Sequence, residues 1–215
     1  MAPLLIQSKS KTNLTTPWQI SAAGTGLPAV SPRPAVLGLA IVDIPPLTAS
    51  HIASDNLRRV RRDHFRPKNR GRRVYDCTQR NTITLTFDDG PSAQTGPLLD
   101  LLHQEGFRAT FFVNGEHGTS PSILRRGIDQ VHQLASHTWG HLENLDLESS
   151  ESMNQQVMWN KIMYRDILGF FPTYMRSSHS KCDGACLAQM GGLGYIVVMW
   201  NLDTEDWKNH PASNI

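Results

Sequence analysis

Long apolar runs are missing from this chain: nothing in its 215 residues is long enough to cross a membrane as a helix. The eight-residue stretch Ala35–Val42, with Arg33 before it and Asp43 after it, has the length of a secretory signal core but lies too far from Met1 to read as one. Cysteine is scarce as well, at three residues. Cys182 and Cys186 are spaced to bridge a tight loop, and with no second pair a zinc-type cysteine cluster is excluded. Cys77 is left over, which fits a missing segment or a reduced thiol; the spacing leaves open that all three are reduced thiols of a cytosolic protein. No internal repeat at solenoid spacing is present.

Net charge is also small, at +2, but it conceals an asymmetry. Arg58–Arg73 holds nine Lys/Arg and one Asp, a local +8, which leaves 12 basic and 18 acidic residues, or −6, elsewhere. A mildly acidic body behind a basic leader argues against nucleic acid as a partner of the body. The length suits one α/β domain, and a monomer without a membrane span is expected.

Residues 1–73 show no sustained periodicity and are rich in Ser, Thr, Pro and Gly, so they read as a disordered basic leader or a mis-assigned N-terminus. The domain is expected over 74–215. Thr82–Phe87 alternates polar and apolar residues and predicts a strand ending at Asp88-Asp89. Thr95–Glu105 predicts a helix stopped near Gly106, Ala109–Val113 a strand, and Ser122–Gln130 a helical stretch. Gln133–Ser136 predicts a strand ending at His137. Ser150–Leu168 predicts the longest helix, with Met153, Val157, Ile162, Met163 and Ile167 near one face and Gly169 stopping it. Thr173–Arg176 predicts a strand, Ala185–Met190 a short helix, and Tyr195–Trp200 a buried strand leading to Asp203.

Strands alternating with helices imply a parallel sheet or barrel, in which polar groups at the C-terminal strand ends face one site. Asp88, Asp89, His137, Arg176 and Asp203 all fall at such ends. Asp88-Asp89 alone is good turn chemistry, and an i,i+4 pair such as His137 and His141 is alone a weak signal. Together, one carboxylate and two imidazoles make a divalent-metal site with open positions, and the second carboxylate is left as a base. A non-haem Fe(II) oxygenase also uses two His and one carboxylate, but it has no need of Asp88 beside Asp89. An Arg beside a carboxylate base orients it and keeps it ionised, the role expected of Arg176.

These motifs, in this order, resemble the polysaccharide deacetylases of carbohydrate esterase family 4, the NodB-homology domain, and are most similar to fungal chitin deacetylases. The resemblance runs from about Val74 to Trp207. It implies a distorted (β/α)7-type barrel, and a chain that ends before that barrel is complete. Thr86–Pro91 matches the first motif, implying Asp88 as general base and Asp89 as metal ligand; Ser136–His141 matches the second, adding His137 and His141 as ligands of Zn2+ or another divalent ion such as Co2+. Phe111–Gly115 and Pro172–Arg176 are also typical of the family. Asp203–Trp207 matches the fourth motif, implying a catalytic role for Asp206, with Trp207 and His179 toward the substrate. The implied reaction is removal of N-acetyl groups from chitin or a related N-acetylglucosamine polysaccharide, by a secreted or cell-wall protein.

Two departures accompany the resemblance. Arg176-Ser177-Ser178-His179 stands where the family has Arg-Pro-Pro-Tyr, and losing two prolines is expected to loosen that turn. The Leu-x-His that supplies the family's catalytic acid has no counterpart before Ile215; His210 lacks the Leu. Fungal members usually pair a cysteine at the place of Cys77 with one near the C-terminus, and none is present. An incomplete barrel is expected to leave apolar strand edges exposed. The alternative reading is therefore a pseudoenzyme or carbohydrate-binding module with the same groove and no turnover.

Overall fold

The threonine–apolar alternation around Thr84 does form a strand, and both of its faces are covered. Thr84, Thr86 and Asp88 are buried on one side, while Leu85 and Phe87 pack on the other against the helices. Coverage of both faces is the habit of parallel sheets. The computed structural model describes residues 4–9, 70–77, 82–117 and 120–208. Ala35–Val42, most of the basic run and His210 lie outside the described residues.

The elements in chain order are β1 (Leu4–Lys9), β2 (Arg73–Val74), β3 (Ile83–Gly90), α1 (Thr95–Gln104), β4 (Ala109–Val113), α2 (Pro121–Asp129) and β5 (Gln133–Ser136). They continue with α3 (Ser150–Leu168), β6 (Tyr174–Met175), α4 (Gly184–Gly192), β7 (Ile196–Val198) and β8 (Leu202–Asp203). Single 3-10 turns occupy Leu145–Leu147, Ser178–Ser180 and Asp206–Lys208. The strands form one sheet in the order β2-β7-β6-β5-β4-β3-β1-β8, with every pairing parallel, curled into a half-barrel.

Period-2 alternation sorts the core. Phe112, Ala135, Tyr174, Ile196 and Val198 share one cluster with Cys77 on the inner face. Ala109, Phe111, Val113 and Leu134 point the other way, against Leu99 and Leu102 of α1, Leu124 of α2 and Tyr164 of α3. A further cluster joins Met153 and Val157 of α3, Met190 of α4 and Val197 of β7. Cys182 and Cys186 are disulfide-bonded at the start of α4 and buried in that cluster.

Three expectations change. First, Leu4–Lys9, within the stretch expected to lack a core, is a strand: it pairs with β3 from Leu4↔Ile83 to Lys9↔Asp88 and with β8 through Ile6↔Leu202. The flank of β3 is thus covered, because an unpaired row of N–H and C=O groups accepts any extended segment of suitable pattern. Second, the pairing of the domain starts at Arg73, the last of the basic run, whose guanidinium donates to the Cys182 carbonyl and pairs with Asp183. Third, α3 keeps most of the face expected, with Met153 and Val157 buried and Met163 and Ile167 packed on the core, but Ile162 leaves it and polar residues join it. Its buried residues are Met153, Gln156, Val157, Asn160 and Tyr164, whereas Ile162 is 38% exposed. The polar members of that face are used by the site, as shown below. Ser149 caps α3 by accepting from the Ser152 N–H, and Gly169, at φ 75°, ends it.

Candidate metal centre

Adjacent residues on a regular strand point to opposite faces, so Asp88 and Asp89 ought to separate. They do not. The register of β3 against β4 shifts between Phe87 and Gly90, and Asp89 takes φ 64°. This irregularity acts as a β-bulge and turns both carboxylates to one side. Asp88 Oδ2 lies 3.9 Å from His137 Nε2, and Asp89 Oδ1 lies 3.3 Å from the same atom.

His137 follows the end of β5, where its backbone N–H donates to the Val113 carbonyl. Its Nδ1 lies 2.7 Å from the Arg176 carbonyl oxygen, which makes Nδ1 the protonated nitrogen and leaves the Nε2 lone pair toward Asp89. His141 reaches the same point by a loop with Thr138 at φ 66° and His141 itself at φ 51°. Non-glycine residues in this region cost about 1–3 kcal/mol each and persist where surrounding contacts over-determine them. Those contacts are present. Asn160 donates to the carbonyls of Val113 and Thr138, Gln156 accepts from the Gly140 N–H, and Asn114 donates to the His137 carbonyl at 2.6 Å. Thr138 and Ser178 hydroxyls meet at 3.0 Å, which ties this loop to the next.

His141 Nε2 is 3.0 Å from Asp89 Oδ1. Asp89 Oδ1, His137 Nε2 and His141 Nε2 lie within 4.8 Å of one another, and all three atoms are buried with no partner beyond the trio itself among the described residues. Three buried polar atoms converging on one point, with no other partner, are costly unless a cation joins them. Two imidazole nitrogens and one carboxylate oxygen are the donor set that suits Zn2+ with positions to spare, so the residues fit the metal the sequence implies. Burial pushes the Asp89 carboxyl up, yet the close imidazoles outweigh it and hold the group well below the usual carboxylate range.

Asp88 is kept out of this set by Arg176. The guanidinium is fully buried; Nη1 donates to Asp88 Oδ1 at 2.7 Å and to Thr86 Oγ1 at 3.0 Å. Nε and Nη2 donate to the Val198 and Met199 carbonyls at 3.1 and 3.0 Å. The rings of Phe112 and Trp200 lie 4.1 and 5.0 Å from its central carbon. A guanidinium that donates four hydrogen bonds and stacks on two rings suits Arg and no other cation. It holds Asp88 Oδ1, while Oδ2 lies on the side of His137 Nε2, at 3.9 Å.

A model of the polysaccharide deacetylase family matches residues 75–198, more than half of the chain. The chain belongs to the polysaccharide deacetylase family. A chitin deacetylase of Colletotrichum lindemuthianum is 40% identical over 146 residues, 65% of this chain and 58% of that protein. A chitin deacetylase of Pestalotiopsis sp is 40% identical over 140 residues, 63% of this chain and 47% of that protein. This deacetylase-family chain thus spans about half the length of the curated relatives it matches. The solved structure of the Colletotrichum enzyme matches with a TM-score of 0.63 over 67% of this chain and 66% of that one.

Within this family member, described contacts link Asp88, Asp89, His137, His141 and Arg176. They also bring in His179, whose ring centroid is 4.7 Å from that of His141 and whose backbone sits at φ 50°. Asp206 and Trp207 lie on the 3-10 turn after β8. Asp206 is buried and accepts from the Thr204 hydroxyl, and Trp207 is half-exposed beneath the Lys208 ammonium. Asp203 adds its charge to that of Asp88 at Arg176. The Ser177-Ser178 turn is held despite its missing prolines, by the Thr138 hydroxyl and by Ser180 N–H donating to the Ser177 carbonyl. Thr86 joins the site through its hydroxyl on Arg176, and its i,i+2 spacing from Asp88 puts both on one strand face. Asn160, Gln156 and Asn114 carried no local signal of their part in the site.

Proposed function

We propose that the chain is a metal-dependent amide hydrolase that removes N-acetyl groups from chitin or a related N-acetylglucosamine polymer. The observation that carries this reading is the trio of converging buried donor atoms beside a carboxylate that Arg176 holds apart from them. Asp89, His137 and His141 would hold Zn2+, or Co2+ in its place. A divalent ion there supplies Lewis acidity, polarising an acyl oxygen and making water acidic near neutral pH.

The remaining work falls to the chain's own groups. Asp88 takes a proton from the attacking water at Oδ2, because Oδ1 is committed to Arg176. Arg176 orients that carboxylate through its hydrogen bond to Oδ1. Addition of water forms a C–O bond at the amide carbon, and collapse of the adduct breaks the C–N bond and releases acetate, with the proton taken up by Asp88 passing to the departing amine. Relatives named as chitin deacetylases and as a peptidoglycan-N-acetylglucosamine deacetylase of Listeria monocytogenes support the substrate class. Such polymers imply action at a cell wall or outside the cell. Among the described residues, no helix is long and apolar enough to cross a membrane.

The test is acetate release from N-acetylglucosamine oligomers by the metal-loaded chain. Release that stops with chelator and returns with Zn2+ or Co2+ is expected. A folded, metal-loaded chain that binds the oligomer and liberates no acetate would instead make it a binding module.

A further inference from the structure

Helix α3 buries one face against the sheet and leaves Trp159 47% exposed and Ile162 38% exposed on another. Neither belongs to the buried clusters described above. Both line an open groove of about 500 Å³, together with Trp139, Met163 and Asp166. The indoles of Trp139 and Trp159 meet at nearly a right angle, with centroids 6.0 Å apart and planes at 77°. Trp139 is fixed from behind: a Cβ on Gly115 would fall 2.2 Å from its Cε3, so the ring lies directly on that backbone. Exposed, clustered large apolar side chains of this kind mark a binding surface more often than a folding need.

We propose that this groove is a second sugar subsite, holding a pyranose ring of the same N-acetylglucosamine polymer beside the metal centre. The proposal rests on the hydrolase reading for the identity of the polymer. Its chemistry points the same way. A β-1,4-linked N-acetylglucosamine ring carries its substituents equatorially, so its two faces present C–H bonds, which pack on an indole, while its rim presents hydroxyl and amide groups. The groove's one acidic group, Asp166, is already paired with Arg165 at 2.7 Å. The rim therefore offers hydrogen-bonding atoms without net charge, which suits a neutral sugar better than a nucleic acid or an acidic lipid. The groove and the candidate site share one loop, because Trp139, which lines the groove, lies between His137 and His141. A polymer chain crossing that loop presents one ring to the metal cluster and a neighbouring ring to the indoles.

The experiment is fluorescence titration of the full chain with the N-acetylglucosamine hexamer, alongside retention on insoluble chitin. Trp159→Ala is expected to weaken hexamer binding about tenfold and Trp159→Tyr by less, with the melting temperature unchanged. Trp159 is half-exposed, so neither substitution removes a core contact. Hexamer binding by Trp159→Ala equal to that of the parent overturns the subsite. So does a Trp159-dependent self-association seen by sedimentation without any effect on hexamer binding. Acetate release by the parent is measured separately. Release together with unaltered Trp159→Ala binding removes the subsite alone, whereas Trp159-dependent binding with no release removes the hydrolase reading and keeps the subsite.

Discussion

Arg176 Nη1 donates to Asp88 Oδ1 at 2.7 Å across 88 residues of sequence, and neither side chain is more than 1% exposed. A buried ion pair of this kind is costly to break from one side, because the remaining charge has nowhere to go. The same guanidinium satisfies two backbone carbonyls and the Thr86 hydroxyl, so its removal strands four acceptors together.

Arg176→Met should accordingly destabilise the fold by about 3–5 kcal/mol. Adding Asp88→Asn to that variant should recover part of the loss, since the stranded charge disappears. Urea midpoints of the parent, both single variants and the double variant give the coupling. Additive losses would mean that the pair is not the energetic unit described.

His141→Ala should weaken Co2+ binding by more than the ~10–100-fold that loss of a mere supporting partner costs. Asn160→Leu, which loosens the loop without removing a ligand, should fall inside that range. Visible absorption of bound Co2+ reports both. Equal affinities for parent and His141→Ala would remove His141 from the ligand set.

Gly115→Ala should displace the Trp139 indole, because the added methyl meets ring atoms at 2.2 to 3.0 Å. Overpacking of this kind costs about 1–3 kcal/mol. The loop Thr138–His141 carries that indole, so Co2+ affinity should drop along with stability. A variant that melts early but binds the ion normally would separate the two.

Stability should also depend on pH through His132. Burial, then the charges of Arg108, His103 and Arg126, push its pKa down to about 4, and its Nδ1 accepts from the Ala109 N–H at 3.2 Å. The unfolded chain binds this proton near pH 6.5, earlier than the native state does on acidification. The contribution is therefore complete above pH 6.5 and is lost as pH falls from 6.5 to 4, on the order of 3 kcal/mol in all. Urea unfolding of His132→Gln across that window should show a shallower slope than the parent. A slope that is unchanged would assign the pH dependence to other groups.

Much of the site is legible in the sequence because its chemistry is local. Thr82–Phe87 alternates, so its strand and the strand-end carboxylates can be read directly. Ser150–Leu168 has its cap residues in place at Ser149 and Gly169, so the helix bounds can be read too. Its buried polar positions cannot. Gln156 and Asn160 turn inward because the loop after β5 presents carbonyls and an N–H that need partners, and only the packed sheet puts that loop there. Likewise the two oxygens of Asp88 differ in role only once Arg176 has arrived from β6.

By itself, then, the sequence determined the donor types, their order along the chain and the alternating strands that carry them, since these depend on residues within a few positions of each other. Tertiary structure decided the rest. It chose which way Asp89 faces, through a register shift against β4, and it supplied β1, an N-terminal strand with no local claim to a core, for the flank of β3. It also left Trp159 on the outside of α3. Those outcomes depend on contacts between segments far apart in the chain, where the partner's position, rather than a residue's own propensity, sets the energy.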